Sequence, residues 1–180
     1  MDHHHSGGCQ HGSPETESKI ADRLLTVMDL SDSDVVADVG SGYGYYSSRF
    51  AEKCGSVFAV DEYCDGLEGG FYARANIETV CGDACRWFKD NSFDKFTHLF
   101  FPNSFHDMPC QDEMLAALSG TFRKGAHHDM IEFNPEMTFG PPKSIRFSKD
   151  VLRAKVEEYG FKQEAYIELN THCFMSFTKV

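Results

Sequence analysis

The sequence predicts an α/β fold: a seven-stranded, mostly parallel sheet with an antiparallel C-terminal hairpin and helices on both faces. Three observations carry this. Between Val35 and Asp61, a buried strand, a glycine turn, a helix and a second buried strand follow one another, the order of a right-handed β-α-β unit. Short apolar runs bounded by turn residues then keep alternating with helical patterns. Two last runs, about 163–169 and 172–179, stand close enough to pair antiparallel.

Each element has its own reason. Ile20, Leu24 and Met28 fall at i, i+4 and i+8, one face of a helix. Val35-Val36-Ala37 is a compact apolar stretch ending at Asp38 and a glycine cluster. From Tyr45 to Cys54 the pattern is helical, with Tyr46, Phe50 and Cys54 inward. Ser56 to Val60 is the second strand, ending at Asp61. Gly66, Gly69 and Gly70 allow only a short, broken helix in 62–75. Ile77 to Val80, Lys95 to Phe101 and Asp129 to Phe133 are the third, fourth and fifth strands. Leu115, Leu118 and Phe122 mark a helix before the fifth. After a polar loop at 134–147, Ser148 caps a helix with Leu152, Val156 and Tyr159 inward and Gly160 as its stop.

The chain has 180 residues, enough for one ordinary domain. Residues 1–17 lack apolar periodicity and read as a flexible, His-rich arm; 18–180 read as the folded domain. His3, His4, His5, Cys9 and His11 lack the spacing of a metal site, so no metal is assigned. Acidic residues outnumber basic ones 28 to 17 and the net charge is −11, which disfavours nucleic acid and anionic membranes as partners. Met114 to Leu118 is too short an apolar run to span a bilayer. Seven scattered cysteines with no C-x-x-C pair and no signal segment read as reduced thiols in a cytoplasmic protein. Adjacent His127 and His128 at a strand start read as exposed.

The strongest chemical signal is Asp38-Val39-Gly40-Ser41-Gly42-Tyr43-Gly44. Glycines at alternate positions let the backbone turn sharply and let a ligand approach it closely. Asp61, with Glu62 beside it, ends the next strand where a ribose diol would need an acceptor. The dinucleotide fingerprint G-x-G-x-x-G requires its third glycine where Tyr45 stands. An aspartate at position 38 suits an ammonium better than a pyrophosphate, which favours S-adenosylmethionine over NAD.

With those residues in place, the chain resembles the class I S-adenosylmethionine-dependent methyltransferases over nearly its whole length. Its "FGPP" loop and "SKDVLRAKVEEYGFK" helix further resemble small prokaryotic members of the type 11 group, relatives of the quinone-ring methyltransferases. "VVADVGSGYGYYS" is similar to their first motif, "VFAVD" to the strand with the ribose-binding acid and "VCGDA" to the adenine-contacting segment. "DNSFDKFTHLFFPNSFHDMP" is similar to their fourth strand and following loop. The resemblance implies a Rossmann-like domain that binds S-adenosylmethionine through Asp38, Gly40, Ser41, Gly42, Gly44, Asp61, Glu62, Asp83, Ala84 and Asn103.

The methyl of a sulfonium is already activated, so in-line transfer to a small-molecule acceptor needs alignment and, for a poorly acidic acceptor, a base. His106, just past the fourth strand, is the best-placed candidate; packing or capping a helix start competes with that role. Glu132, ending the fifth strand, faces the same crevice, with a pocket-rim carboxylate as the competing reading. The resemblance adds His172, against a solvent-facing strand residue. Tyr43 and Tyr45 could stack on the cofactor or simply pack the first helix. Phe100, Phe101, Phe105, Phe133 and Phe139 fall near the acceptor loops, though core packing accounts for much of that content. The alternative to an enzyme is a non-catalytic module that binds S-adenosylmethionine or responds to a metal.

Overall fold

The central strands are apolar runs because both of their faces are covered. In the computed structural model, which describes residues 14–63, 65 and 72–180, seven strands form one sheet. They are β1 (Val35–Val39), β2 (Ser56–Asp61), β3 (Ile77–Cys81), β4 (His98–Pro102), β5 (His127–Phe133), β6 (Phe161–Glu168) and β7 (His172–Lys179), in the order β3-β2-β1-β4-β5-β7-β6. Pairs from β3 to β5 are parallel, and β7 runs antiparallel to both β5 and β6. The fold class expected from the sequence is the one observed.

Alternation along each strand sorts the core into two layers. Ala37, Val39, Leu99, Phe101, Met130, Met175 and Phe177 pack on one face against α3 (Ala84–Asp90), α4 (Gln111–Thr121) and α5 (Lys149–Glu157). Val36, Val57, Phe100, Ile131 and Phe174 pack on the other against Leu24 and Met28 of α1 (Pro14–Met28) and Phe50 of α2 (Tyr45–Phe50). Ser148 caps α5 by accepting from the Val151 N–H, as its position implied.

Several boundaries differ from the expectation. α1 begins at Pro14, inside the segment read as an arm, and residues 1–13 lie outside the described residues. So do 64 and 66–71, where the broken second helix was expected. The regular part of α2 stops at Phe50, although Cys54 still donates to the Phe50 carbonyl and is buried. α3 has no counterpart in the sequence reading. β4 begins at His98, because Phe93 and Phe96 turn into the core from the loop before it.

The histidine and cysteine readings are corrected. His128 is fully buried among Phe101, Phe105, Phe161 and Phe177, and His127 is half-buried, stacked on His98. β5 is interior, so neither side of its first residues faces open solvent. Cys85 and Cys110 form a disulfide, and Cys81 is disulfide-bonded as well. A separation of 25 residues carries no local motif; only the packing of α3 against α4 brings the two sulfurs together. Cys54 and Cys173 are free and buried. Among the described residues, no helix is long and apolar enough to cross a membrane.

Two buried polar groups mark the start of β5. His98 Nδ1 and Asp129 Oδ2 pair at 2.7 Å with almost no exposure, tying β4 to β5. Neither ring nitrogen of His128 has a partner, and burial pushes its pKa down to about 4 against a slight opposing pull from Asp129. A neutral, unpaired imidazole in an aromatic core costs desolvation with no hydrogen bond in return. His128→Leu is therefore expected to leave the denaturation midpoint at pH 7 unchanged or raise it. His128 penalises the folded state least above the unfolded pKa near 6.5, and the penalty grows as pH falls from there toward about 4, a swing of about 3 kcal/mol. The variant should flatten that acid limb in urea titrations between pH 6.5 and 4; an unchanged limb would overturn the assignment.

Candidate active site

The parallel strands β1, β2 and β4 deliver their C-terminal ends to one edge, and the turn after β1 is built there by three glycines with different tasks. Gly40, Gly42 and Gly44 all have left-handed φ, at 79°, 56° and 84°. A Cβ on Gly40 would lie 2.5 Å from the Ser104 Cβ, so that glycine lets β1 and the loop after β4 touch. A Cβ on Gly44 would lie 2.5 Å from the Tyr72 ring. A Cβ on Gly42 would meet nothing within 4 Å, so the space beside that residue is unobstructed although its N–H and carbonyl are both hydrogen-bonded.

Hydrogen bonds lock this turn. The Gly40 and Ser41 N–H groups both donate to the Val60 carbonyl, at 2.8 and 3.2 Å. Asp61 Oδ2 accepts from the Gly42 N–H and Oδ1 from the Tyr63 N–H, each at 2.8 Å. The Asp61 carboxylate is thus fixed with lone pairs left for further donors. The Tyr72 hydroxyl donates to the Gly42 carbonyl at 2.7 Å and meets Ser41 Oγ at 3.0 Å. Sequence reading missed Tyr72, which sits outside any periodic pattern; an aromatic just before β3 was its only trace. Tyr43 is largely exposed and meets Tyr63 edge-on, while Tyr45 packs on Tyr46.

Asp38 is fully buried beneath the turn. Its Oδ2 accepts from Ser47 Oγ at 2.6 Å and its Oδ1 has no partner. Burial raises its pKa to about 7, against the Ser47 hydrogen bonds and with help from the Asp61 charge. Across the edge, Asn103 adopts φ 56° and holds a second buried oxygen, Oδ1, without a partner. A left-handed non-glycine residue at a strand end is the kind of strain that gathers at functional sites. Two orphaned buried acceptors at the ends of β1 and β4 fit a ligand bearing an ammonium or N–H donors. Asp83 caps α3 by accepting from the Arg86 N–H at 2.7 Å and remains exposed next to half-buried Ala84; Glu62 is exposed beside Asp61.

The fold brings two of the three candidate catalytic residues into direct contact. His106, on a 3₁₀ turn (Phe105–Asp107) after β4, points its Nδ1 at Glu132 Oε2, 2.6 Å away, and donates its backbone N–H to Oε1 at 3.2 Å. His106 Nε2 lies 3.3 Å from Asp107 Oδ2. Gln111 anchors the turn through the Phe105 carbonyl at 2.8 Å. Burial opposes charge on His106, but the Glu132 carboxylate, with Asp107, outweighs it and holds the imidazole above its ordinary pKa. His172 is a neighbour rather than a solvent-facing residue. Its ring lies 4.1 Å from Phe133, its Nδ1 is 2.7 Å from Thr171 Oγ1 and its Nε2 is buried without a partner. Burial, then the His106 charge, lowers its pKa to about 4, so it is neutral at pH 7.

The 134–147 loop beside these groups is organised by Arg146, a second residue the sequence reading missed. Its guanidinium donates to the carbonyls of Pro135, Met137, Phe139 and Pro141. An arginine at the end of a Pro/Gly loop that also carries Glu136 and Lys143 was the available signal. The loop borders a cleft of about 640 Å³ lined in part by Asn134, Met137, Phe147, Tyr166 and Leu169. Of the phenylalanines flagged in the sequence, Phe100, Phe101 and Phe105 are core, while Phe133 and exposed Phe139 meet near the loop. Among the described residues, no group of three His, Cys, Asp or Glu side chains is arranged to hold a metal ion.

Comparison with known proteins gives the family and the fold. Residues 37–128 match a family described as "Methyltransferase domain". A demethylmenaquinone methyltransferase of Renibacterium salmoninarum is 30% identical over 120 residues, covering 66% of this chain and 48% of its own length. A ribosomal RNA small subunit methyltransferase A of Pelotomaculum thermopropionicum is 31% identical over 83 residues, 42% of this chain and 25% of its own. The chain thus spans between a quarter and a half of the length of the curated relatives it matches. Among solved structures, a SAM-dependent methyltransferase from Aquifex aeolicus superposes with TM-score 0.74 at 18% identity, covering 93% of this chain and 98% of that one. The N-methyltransferase NodS from Bradyrhizobium japonicum gives TM-score 0.71 at 10% identity over 93% and 98%. These distant structural likenesses speak to the fold.

The three glycines rank differently under substitution. Gly44→Ala combines left-handed strain with a collision against the Tyr72 ring and is expected to cost about 2 kcal/mol or more. Gly42→Ala meets open space and should cost only about 1 kcal/mol. Urea denaturation of the two variants checks this, and the reverse order would contradict the packing described.

Proposed function

Because this chain belongs to the methyltransferase-domain family, we propose that it transfers a methyl group from S-adenosylmethionine to a small-molecule acceptor. The observation that carries the reading is the pair of orphaned buried oxygens of Asp38 and Asn103 at the glycine turn, with unobstructed space beside Gly42 and Asp61 fixed next to it. In this reading Asp38 and Asn103 serve the amino-acid end, Asp61 and Glu62 the ribose, Asp83 and Ala84 the adenine. Gly40, Ser41, Gly42 and Gly44 supply the backbone cradle. When bound, S-adenosylmethionine supplies a methyl already activated by the sulfonium.

The chain's part is then alignment, exclusion of water and proton removal. His106 is the proposed base: in its neutral form it takes a proton from an acceptor O–H or N–H, and the Glu132 carboxylate stabilises the imidazolium that results. His172, neutral and with a bare Nε2, is a proposed hydrogen-bond acceptor in the same pocket. A small acceptor is supported by the net charge of −11, which repels a phosphate backbone. The ribosomal RNA methyltransferase relatives match 44% of this chain at most.

Calorimetric titration with S-adenosylmethionine tests the cofactor site. Asp61→Ala should weaken binding at least about tenfold, the scale of one or two lost charge-assisted hydrogen bonds; unchanged affinity would sink the assignment. Asp38, with its pKa near 7, must give up a proton to meet a cation. Affinity should therefore rise from pH 6 toward 8, by up to about tenfold per unit below 7, and vanish as a trend in Asp38→Asn.

The base has its own signature. Since the His106 pKa is raised above 6.5, turnover should climb with pH through an inflection on the alkaline side of that value. Glu132→Gln should move the inflection to lower pH, and His106→Gln should cut kcat by about 10²–10⁴ while sparing cofactor affinity. A pH profile identical in all three proteins would remove His106 from the chemistry.

A further inference from the structure

Among the described residues the cysteines divide into two populations with opposite chemistry. Cys54 and Cys173 are buried, and burial pushes both thiols up to about 11, so they stay protonated and unreactive. Cys81, Cys85 and Cys110 are disulfide-bonded, and all three are exposed or half-exposed. The bonded cysteines are not scattered. Cys81 and Cys85 bracket Gly82, Asp83 and Ala84, the segment proposed to meet the adenine. Cys110 stands at the N-cap of α4, closing the stretch that begins at Asn103 and carries His106.

The Cys85–Cys110 bond therefore joins two walls that are otherwise separate pieces of chain. One is the first turn of α3, set by the Asp83 cap. The other is the loop after β4, where Ser104 touches the Gly40 turn and Gln111 holds the His106 turn. The two helices also share the core through Phe88, Met114 and Leu115, so reduction should loosen the site without unfolding the domain. We propose that Cys85–Cys110 is a thiol–disulfide exchange site that sets cofactor affinity, high when the bond is closed and lower when a dithiol opens it. The inference rests on the cofactor reading above.

The step balances within one reductant of that class. A thiolate of the dithiol attacks one sulfur of the Cys85–Cys110 bond, forming a mixed disulfide and releasing the other cysteine as a thiolate that takes up a proton. The second thiol of the reductant then displaces the first cysteine. Two electrons pass to the protein, the two cysteines end as thiols, and the dithiol ends as a cyclic or intramolecular disulfide. Binding favours the closed form because its two walls are already held together, and ordering them on binding would lower affinity.

S-adenosylmethionine is titrated calorimetrically into the full chain as oxidised protein and after dithiothreitol, with the bond verified by non-reducing peptide mapping. Affinity should fall about tenfold on reduction, within the usual range for two coupled sites. Cys85→Ser/Cys110→Ser should bind like the reduced protein and ignore dithiothreitol. Should that variant fail to fold, reduced wild-type protein alkylated with iodoacetamide replaces it, with circular dichroism confirming the fold. Equal affinity in the oxidised and reduced states would overturn the switch and leave the cofactor reading intact. Continued sensitivity of the double variant to dithiothreitol would move the effect to the Cys81 bond and overturn the assignment to Cys85–Cys110. Binding in neither state would remove the cofactor reading, and the switch with it.

Discussion

At the upper edge of the sheet, the approach of Gly40 to Ser104 governs what else can be arranged. Two neighbouring parallel strands, β1 and β4, end there, and the chain leaving each must pass the other with no room for a single Cβ. The contact is closed further by Ser104 Oγ, which donates to the Val39 carbonyl at 2.5 Å. Once that crossing is tight, the glycine turn lies directly beside Asn103 and the turn that bears His106. A larger residue at position 40 would separate the two halves of the site. The glycine is thus a packing requirement between distant segments as much as a conformational one.

The electrostatics follow from how deeply this edge is set. Asp38, His106, His128, Asp129 and Glu132 are all buried, but they are treated differently. His106 with Glu132, and His98 with Asp129, are closed pairs. Asp38 and Asn103 keep an oxygen without a partner, and so does Asp129. A buried acceptor without a donor is costly, and where two of them sit at the glycine turn a ligand offers the compensation. His128 is different: it sits among phenylalanine rings away from the open edge, and nothing in the structure compensates it.

How much was legible in the sequence depended on the range of the signal. Periodic positions such as Leu24, Met28, Leu152 and Val156 announced their helices, and the turn at 38–44 announced a nucleoside site because its glycines are local. His106 and Glu132 were each visible as strand-end residues, yet their pairing was not, since it depends on the register of β4 against β5 across 26 residues. α3 is only seven residues long, too short to show a period. The burial of His128 follows from β5 being interior, the Cys85–Cys110 disulfide from helix packing, and Tyr72 and Arg146 from contacts with loops that carry no pattern of their own. Sequence reading therefore recovered the frame and the family, and lost the braces.

Arg146 has a consequence for how such a site can change over time. Among the described residues its hydrogen bonds all go to main-chain carbonyls, and every residue, proline included, carries one. The shape of the 134–147 loop is thus fixed by groups that substitution does not alter. Side chains at positions such as Met137 and Phe139 can be exchanged without dismantling the wall they decorate. On the proposed reading, scaffold and selectivity are uncoupled there: a lineage could try new acceptors one residue at a time, while the arginine keeps the frame in which each trial is made.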